Sequence, residues 1–135
     1  MVDIAAYLHE LCAALAEALF LRGAIALNCD AEPATMPRDR AVTLGLIVNE
    51  LVTNAAKHAF TDRETGTITV RFVSAEPGWR LIVADNGTGI PAERAPRPGS
   101  GLGQRLIDGF ARQAGGTIDT RSGPKGTTVT VLLTE

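Results

Sequence analysis

Aromatic residues and cysteines are scarce in this chain of 135 residues: Phe, Trp and Tyr make up 4% of it, and it has two cysteines. Dense runs of Lys or Arg are also missing, and the formal net charge is −2. We therefore expect no nucleic-acid-binding surface, while a local basic pocket for phosphates stays open. The 45% hydrophobic content and 14 glycines suit a compact mixed α/β domain rather than a disordered tail.

The cysteines, Cys12 and Cys29, lie in apolar stretches and fit no metal-ligand spacing. We interpret them as reduced core residues of a cytosolic protein, with a disulfide between them as the open alternative. The N-terminal apolar stretch is interrupted by Asp3, His9, Glu10 and Glu17. It is therefore neither a signal peptide nor a membrane span, and the sequence predicts a cytoplasmic domain without membrane contact.

Hydrophobic periodicity predicts helices over Val2–Leu21, Arg38–Phe60 and about Leu102–Ala114. Alternating or short apolar runs predict strands over Ala24–Cys29, Thr67–Val73, Trp79–Ala84, Thr117–Arg121 and Thr127–Leu133. A loop containing Asp30, Glu32, Pro33 and Pro37 follows the first strand, and an irregular segment runs from Asp85 to Gly103. This order predicts one domain over residues 1–135. Its fold class is an α/β (α+β) two-layer sandwich, with a mixed, largely antiparallel sheet and about three helices on one face.

A polar stripe runs along the second predicted helix, beside its apolar face. At about 100° per residue, Glu50, Asn54 and Lys57 fall within about 60° of one another. A carboxylate, an amide oxygen and an ammonium in one row suit Mg²⁺ and a phosphate chain. A solvated helix face with an i,i+4 polar pair has the same pattern, so the stripe alone leaves both interpretations open.

Asp85 follows a predicted strand and leads into Asn86-Gly87-Thr88-Gly89. Asn-Gly alone is typical of a hairpin turn, but no partner strand comes next. A carboxylate at a strand end can accept a hydrogen bond from an exocyclic amine such as that of adenine. Glycines there let the backbone approach a flat ring closely.

Gly99-Ser100-Gly101-Leu102-Gly103 directly precedes the third predicted helix. Free N–H groups and the helix dipole make such a terminus an anion site, suited to a triphosphate. The segment is not a Walker loop, because no Gly-Lys-Ser/Thr follows, and Leu106 replaces the third glycine of a dinucleotide fingerprint. A flexible glycine hinge is the alternative.

Taken in order, these motifs resemble one family. An E-x-x-x-N helix, a strand ending in D-x-G-x-G, a G-x-G-x-G helix start and a strand beginning Gly126-Thr127 are similar to the GHKL family. That Bergerat-type ATP-binding family includes histidine kinases, DNA gyrase B subunits, heat-shock chaperones and mismatch-repair ATPases. The resemblance covers nearly the whole chain and implies ATP, Mg²⁺ and a mobile lid over about Ala92–Pro98.

The resemblance implies a role for each residue that matches a motif of the family. Glu50 stands at the catalytic base position and, with Asn54, at the Mg²⁺ position. Asp85 would accept a hydrogen bond from the adenine amino group, and Thr127 would support Asp85 through water. Gly87 and Gly89 would lie beneath the base. The phosphates would be met by Lys57, His58, Gly101, Leu102 and Gly103.

Within the family, the stretches Val2–Leu8 and Leu44–Phe60 look most like bacterial sensor histidine kinases. They look most like the sensor kinases close to the HWE kinases, although the Trp-x-Glu element that gives the HWE kinases their name is absent. The implied function is transfer of the ATP γ-phosphoryl group to a histidine on a partner dimerisation domain, and then to a response regulator. No acceptor hairpin is recognisable, and we interpret His9 as a surface residue. The isolated chain is therefore expected not to label itself.

Two other functions are compatible with the same motifs. A stand-alone anti-sigma-factor serine kinase has a similar size and the same boxes. A non-kinase ATP-binding module, either a clamp ATPase or a non-catalytic adaptor, would share the fold. Glu50 and Asn54 argue against the adaptor, and the absence of a transducer domain after Glu135 argues against the clamp.

Overall fold

The computed structural model describes residues 1–18, 25–58, 66–75, 78–87, 109, 117–123 and 126–133. At positions 57, 58, 122 and 123 it describes the backbone alone. Two helices are formed within these ranges, α1 (Ile4–Ala18) and α2 (Arg38–His58). The strands are β1 (Val2–Asp3), β2 (Ile25–Ala31), β3 (Thr35–Met36), β4 (Gly66–Ala75), β5 (Gly78–Asp85), β6 (Thr117–Gly123) and β7 (Gly126–Leu133).

Five of these strands form one sheet in the order β2-β4-β5-β7-β6. Only β2 and β4 are parallel among these neighbours, and the three other pairs are antiparallel. Parallel neighbours need a crossover connection, and α2 lies between β2 and β4 in the chain. The predicted fold class, with its mixed and largely antiparallel sheet, is confirmed.

One face of this sheet is buried against the helices. Along β4, Ile68, Val70 and Phe72 are fully buried and alternate with more exposed residues. Leu81 and Val83 of β5, the cross-strand partners of Phe72 and Val70, are buried as well. Both helices contribute to the same apolar cluster as these side chains, so they cover one face, as the alternation predicts.

Helix α1 begins later than expected. Val2 and Asp3 were predicted to be helical, but they form β1, which pairs with β3 in an antiparallel two-stranded sheet. The Asp3 side chain explains the boundary, because its Oδ1 accepts the backbone N–H of Ala6 at 3.1 Å and so caps the first turn. Of the apolar positions at helical spacing, Ile4, Leu8 and Leu15 are buried and Leu11 is half-buried, while Leu19 lies outside the described residues. Cys12 is buried on the same face.

Strand β2 extends further than its sequence suggested. Asp30 was predicted to begin a loop, but β2 continues through Ala31 because its parallel ladder with β4 reaches Phe72. Asp30 is accommodated on the outer face, where its carboxylate lies 3.9 Å from the guanidinium of Arg71. The short strand β3 was also missed, since two residues carry no periodicity.

Helix α2 agrees with its predicted start at Arg38, and Phe60 lies outside the described residues. Its inner face packs against α1 closely enough that a Cβ on Gly45 would collide with the Tyr7 hydroxyl group. Of the third predicted helix, only Gly109 is described, and it is helical. No helix among the described residues is long and apolar enough to cross a membrane.

Candidate functional site

The carboxylate of Asp85 is fixed at the end of β5 by two backbone N–H groups. Gly87 donates to its Oδ1 at 2.9 Å and Thr127 donates to the same oxygen at 3.3 Å. Asp85 is half-buried, while Gly87 and Thr127 are buried. Among the described residues, no donor reaches the second oxygen, Oδ2. One oxygen therefore anchors the carboxylate, and the other accepts no hydrogen bond from the described part of the chain.

The sheet register determines where this carboxylate points. Asp85 lies opposite Ile68 on β4 and Thr127 on β7, and it shares the face of buried Val83 two residues earlier. Its side chain is thus on the helix-covered side of the sheet. The backbone N–H of Thr127 contacts it directly, and the expected support through water stays a prediction.

Asn86 continues the β4–β5 pairing one step past Asp85. Its backbone N–H donates to the carbonyl oxygen of Thr67 at 3.2 Å, and its side-chain Oδ1 accepts the Thr67 N–H at 2.7 Å. The side chain thus takes the place of a backbone acceptor and fixes the direction of the chain from Asp85 to Gly87. We did not predict this positioning role, although a short amide directly after a strand-end Asp is a usable signal.

Gly126 makes the close approach of β7 to Asp85 possible. Its φ is 133°, and a Cβ there would collide with the backbone oxygen of Asp85 and lie 3.0 Å from Cα of Asn86. Only glycine tolerates both the conformation and the contact. In the sequence it was noted only as the start of a strand.

Helix α2 carries the second part of the site. Asn54 Nδ2 donates to Glu50 Oε1 at 3.3 Å, so the two side chains that were predicted to share a stripe are in contact. Glu50 is half-buried and Asn54 is exposed. Because its NH₂ group faces Glu50, Asn54 directs its amide oxygen elsewhere. Lys57 and His58 lie in the last turn of α2, and their side chains are outside the described part.

Helix α2, which carries the Glu50–Asn54 pair, lies on the same face of the sheet as the Asp85 side chain. Helix α2 packs on β4 and on β5, the strand that ends at Asp85. Within the described ranges, no hydrogen bond or ion pair joins the Glu50–Asn54 pair to Asp85. The other predicted site residues, Gly89, Gly101, Leu102 and Gly103, and the predicted lid at 92–98 lie outside the described residues.

Oxygen atoms on α2 have the chemistry that Mg²⁺ prefers, since Glu50 offers a carboxylate and Asn54 an amide oxygen. In the part of the chain that the structure describes, no group of three or more His, Cys, Asp and Glu could hold a metal ion. These two side chains therefore fit Mg²⁺ only together with oxygens from another source, and a triphosphate is such a source.

Comparison with known proteins gives one family and several relatives. Residues 39–135 match the family of histidine kinase-, DNA gyrase B- and HSP90-like ATPases. The chain is 34% identical over 133 residues to blue-light-activated histidine kinase 2 of Erythrobacter litoralis, covering 97% of this chain and 38% of that protein. It thus spans about two fifths of that relative's length. It is also 35% identical over 71 residues to the serine-protein kinase RsbW of Listeria monocytogenes, covering 53% of this chain and 45% of that one.

Among solved structures, the histidine kinase domain of the Erythrobacter litoralis EL346 blue-light-activated histidine kinase superposes with a TM-score of 0.90. The two are 32% identical, and the match covers 99% of this chain and 66% of that one. The expected resemblance to sensor histidine kinases is therefore confirmed in sequence and in fold.

Proposed function

Because the chain belongs to the family of histidine kinase-, DNA gyrase B- and HSP90-like ATPases and is a catalytic domain of the histidine kinase type, we propose that it binds ATP with Mg²⁺ and transfers the γ-phosphoryl group to a histidine. That histidine belongs to a partner dimerisation domain, and the phosphoryl group then passes to a response-regulator aspartate. The chain is a single domain that works in the cytoplasm.

The observation that carries this proposal is the anchoring of Asp85. Its Oδ1 is occupied by the N–H groups of Gly87 and Thr127, and Oδ2 accepts no hydrogen bond from the described residues. An adenine amino group is a donor, so it satisfies Oδ2, whereas the carbonyl oxygen of guanine would oppose it with a second acceptor. The Gly87 backbone lies beside this carboxylate, where the absence of a side chain lets a flat base approach.

On α2, Asn54 and Glu50 would hold Mg²⁺ through their oxygens, and the ion would neutralise charge on the triphosphate. Lys57 and His58 of the same helix would meet phosphate oxygens, as would the backbone of Gly101, Leu102 and Gly103. Gly89 would complete the floor under the base. Such residues position the reactants and neutralise charge, which is most of what a protein contributes to phosphoryl transfer.

Glu50 has a second role in this proposal, as the catalytic base. The attacking nitrogen of the acceptor imidazole forms a bond to the γ-phosphorus while the bond to the bridging oxygen of ADP breaks. The imidazole must lose a proton in the process, and the Glu50 carboxylate orients the ring and accepts that proton.

The direct test mixes the chain with Mg²⁺ and γ-labelled ATP, alone and with a panel of histidine-containing dimerisation hairpins from sensor kinases supplied in trans. We expect no label on the chain alone and acid-labile label on a hairpin histidine. Transfer in trans should be slower than in a tethered kinase, because the effective concentration is lost. Acid-labile label on His9, which is exposed on α1, would overturn the domain assignment. Bound ATP without transfer to any hairpin would favour a non-kinase module.

Glu50→Gln tests the base, because the replacement keeps the shape and removes the charge. General-base contributions are about 10²–10⁴-fold, so transfer should slow by a factor in that range. ATP affinity should fall far less, because the amide oxygen of Gln can still hold the metal ion. Glu10→Gln, an exposed Glu on α1, is the matched control and should transfer at the normal rate. If affinity and rate fall together in Glu50→Gln, Glu50 acts through the metal alone and is not the base. Unchanged transfer would remove it from the mechanism.

The similarity to RsbW favours one second candidate, a serine kinase acting on a regulatory protein. The two candidates differ in the stability of the product, since phosphoserine survives acid and phosphohistidine does not. Acid-stable label on an anti-anti-sigma protein, together with binding to a sigma factor, would support the serine kinase.

A further inference from the structure

The two cysteines of the chain meet between α1 and the edge strand β2. Cys12 lies on the inner face of α1 between Leu8 and Leu15 and is only 4% exposed. Cys29 is half-buried on β2, at an inward position in the alternating pattern of that strand. Helix α1 packs directly on β2, both side chains belong to the same apolar cluster, and both are free thiols.

The two thiols differ in exposure and influence each other's ionisation. Interaction with Cys29 is the main cause that raises the pKa of Cys12, and burial raises it further. The same interaction lowers the pKa of Cys29, against the opposing effects of burial and of the Asp30 charge. The more accessible thiol, Cys29, is thus also the one whose pKa is lowered. This division suits one nucleophilic and one resolving thiol.

We propose that Cys12 and Cys29 form an oxidation site, at which a hydroperoxide converts the two thiols into an intrachain disulfide that joins α1 to β2. In the first step the Cys29 sulfur attacks one oxygen of hydrogen peroxide. The O–O bond breaks, a sulfenic acid forms on Cys29, and the leaving hydroxide takes up the proton as water. In the second step the Cys12 sulfur attacks the Cys29 sulfur, its thiol proton leaves with the hydroxyl group, and a second water forms. The two sulfurs lose two electrons in total, which reduce the peroxide.

The fold favours the second step, because both side chains face the boundary between α1 and β2, two elements that pack directly on each other. The disulfide would close the chain between positions 12 and 29. For a loop of this length it should raise the midpoint of thermal unfolding by roughly 10 °C.

The test treats the whole chain with a small molar excess of hydrogen peroxide, alkylates the remaining thiols and maps peptides without reduction. We expect both thiols to disappear together and a peptide containing Cys12 to be linked to one containing Cys29. The product should stay monomeric, unfold at a higher temperature and revert with dithiothreitol. Sulfinic acid on Cys29 with Cys12 still open to alkylation after unfolding, or disulfides only between chains, would overturn the proposal.

Two variants separate the roles of the thiols. In Cys12→Ala, Cys29 should still react with peroxide but proceed to sulfinic acid or to dimers, and the shift in the unfolding temperature should vanish. In Cys29→Ser, the buried Cys12 should stay unoxidised under the same conditions. Rapid oxidation of Cys12 in that variant would contradict the assignment of Cys29 as the attacking thiol. Peptide mapping of the protein without substitutions decides the proposal even if a variant fails to fold.

Discussion

Replacement of Asp85 separates two effects that usually occur together, loss of a nucleotide contact and loss of fold stability. Oδ1 accepts the N–H groups of Gly87 and Thr127, and Oδ2 is the oxygen assigned to adenine. In Asp85→Asn the amide oxygen can still accept both N–H groups, which places the NH₂ group where Oδ2 was. A donor then faces the adenine amine, whereas it suits the carbonyl oxygen of guanine.

The expected magnitudes follow from this geometry. For nucleotide binding, the opposed donors should weaken ATP by about 1–3 kcal/mol, or roughly 5- to 150-fold in Kd. For folding, Asp85→Asn weakens two charge-assisted bonds and should lower the free energy of unfolding by about 1–2 kcal/mol. Asp85→Ala should lower it by more, about 2–5 kcal/mol, because it removes the side-chain acceptor that the N–H groups of Gly87 and Thr127 share.

Calorimetric titration with ATP and GTP, in the presence of Mg²⁺, measures the first effect, and unfolding without nucleotide measures the second. We expect the wild-type chain to bind ATP far better than GTP, and Asp85→Asn to narrow that preference. Asp119→Asn is the matched control, since Asp119 lies exposed on β6 beside Arg121 and should change neither property much. An ATP-to-GTP preference in Asp85→Asn equal to that of the wild type would refute the adenine assignment.

Two further replacements test the rest of the site. Asn54→Ala should remove much of the Mg²⁺-dependent part of ATP affinity, about 5- to 30-fold in Kd, as measured by titrations with and without a chelator. The control, Asn28→Ala on β2, should leave that affinity unchanged. An unchanged Mg²⁺ dependence in Asn54→Ala would exclude Asn54 as a ligand. Gly126→Ala forces a Cβ against the Asp85 backbone and should cost about 1–3 kcal/mol of stability and also weaken ATP binding. Gly45→Ala, whose Cβ would collide with the Tyr7 side chain, should lower stability while sparing ATP affinity. Equal ATP affinity in both variants would contradict this role of Gly126.

Regular alternation and helical spacing are the features of this fold that the sequence predicts well. The buried face of β4 could be read from Ile68, Val70 and Phe72, because a half-buried strand has a period of two. Features that depend on partners distant in sequence could not be read in this way. Asp30 looks like a loop residue, yet it stays in β2 because the ladder with β4 continues past it, with Arg71 beside it on the outer face.

The candidate site shows the same division. Glu50 and Asn54 are four residues apart on one helix, so their contact follows from helical geometry. Asp85 was predicted from its place at a strand end. The residues that hold it in position were missed, because Asn86 acts through Thr67 and Gly126 through the backbone of Asp85. Those contacts exist only once the strands are aligned.

Alignment of β7 is therefore as important to the site as the carboxylate itself. Asp85 and Thr127 are paired across β5 and β7, although β6 lies between these strands in the chain. The β6–β7 hairpin closes beside this pair, where Gly123 pairs with Gly126. A slip of one residue would turn every side chain of β7 to the other face. It would move buried Val131 out of the core, and it would place a residue with a Cβ where Gly126 now meets Asp85. The apolar core and the close contact at Gly126 thus select the same register, and the Thr127 N–H reaches Asp85 as a consequence of both.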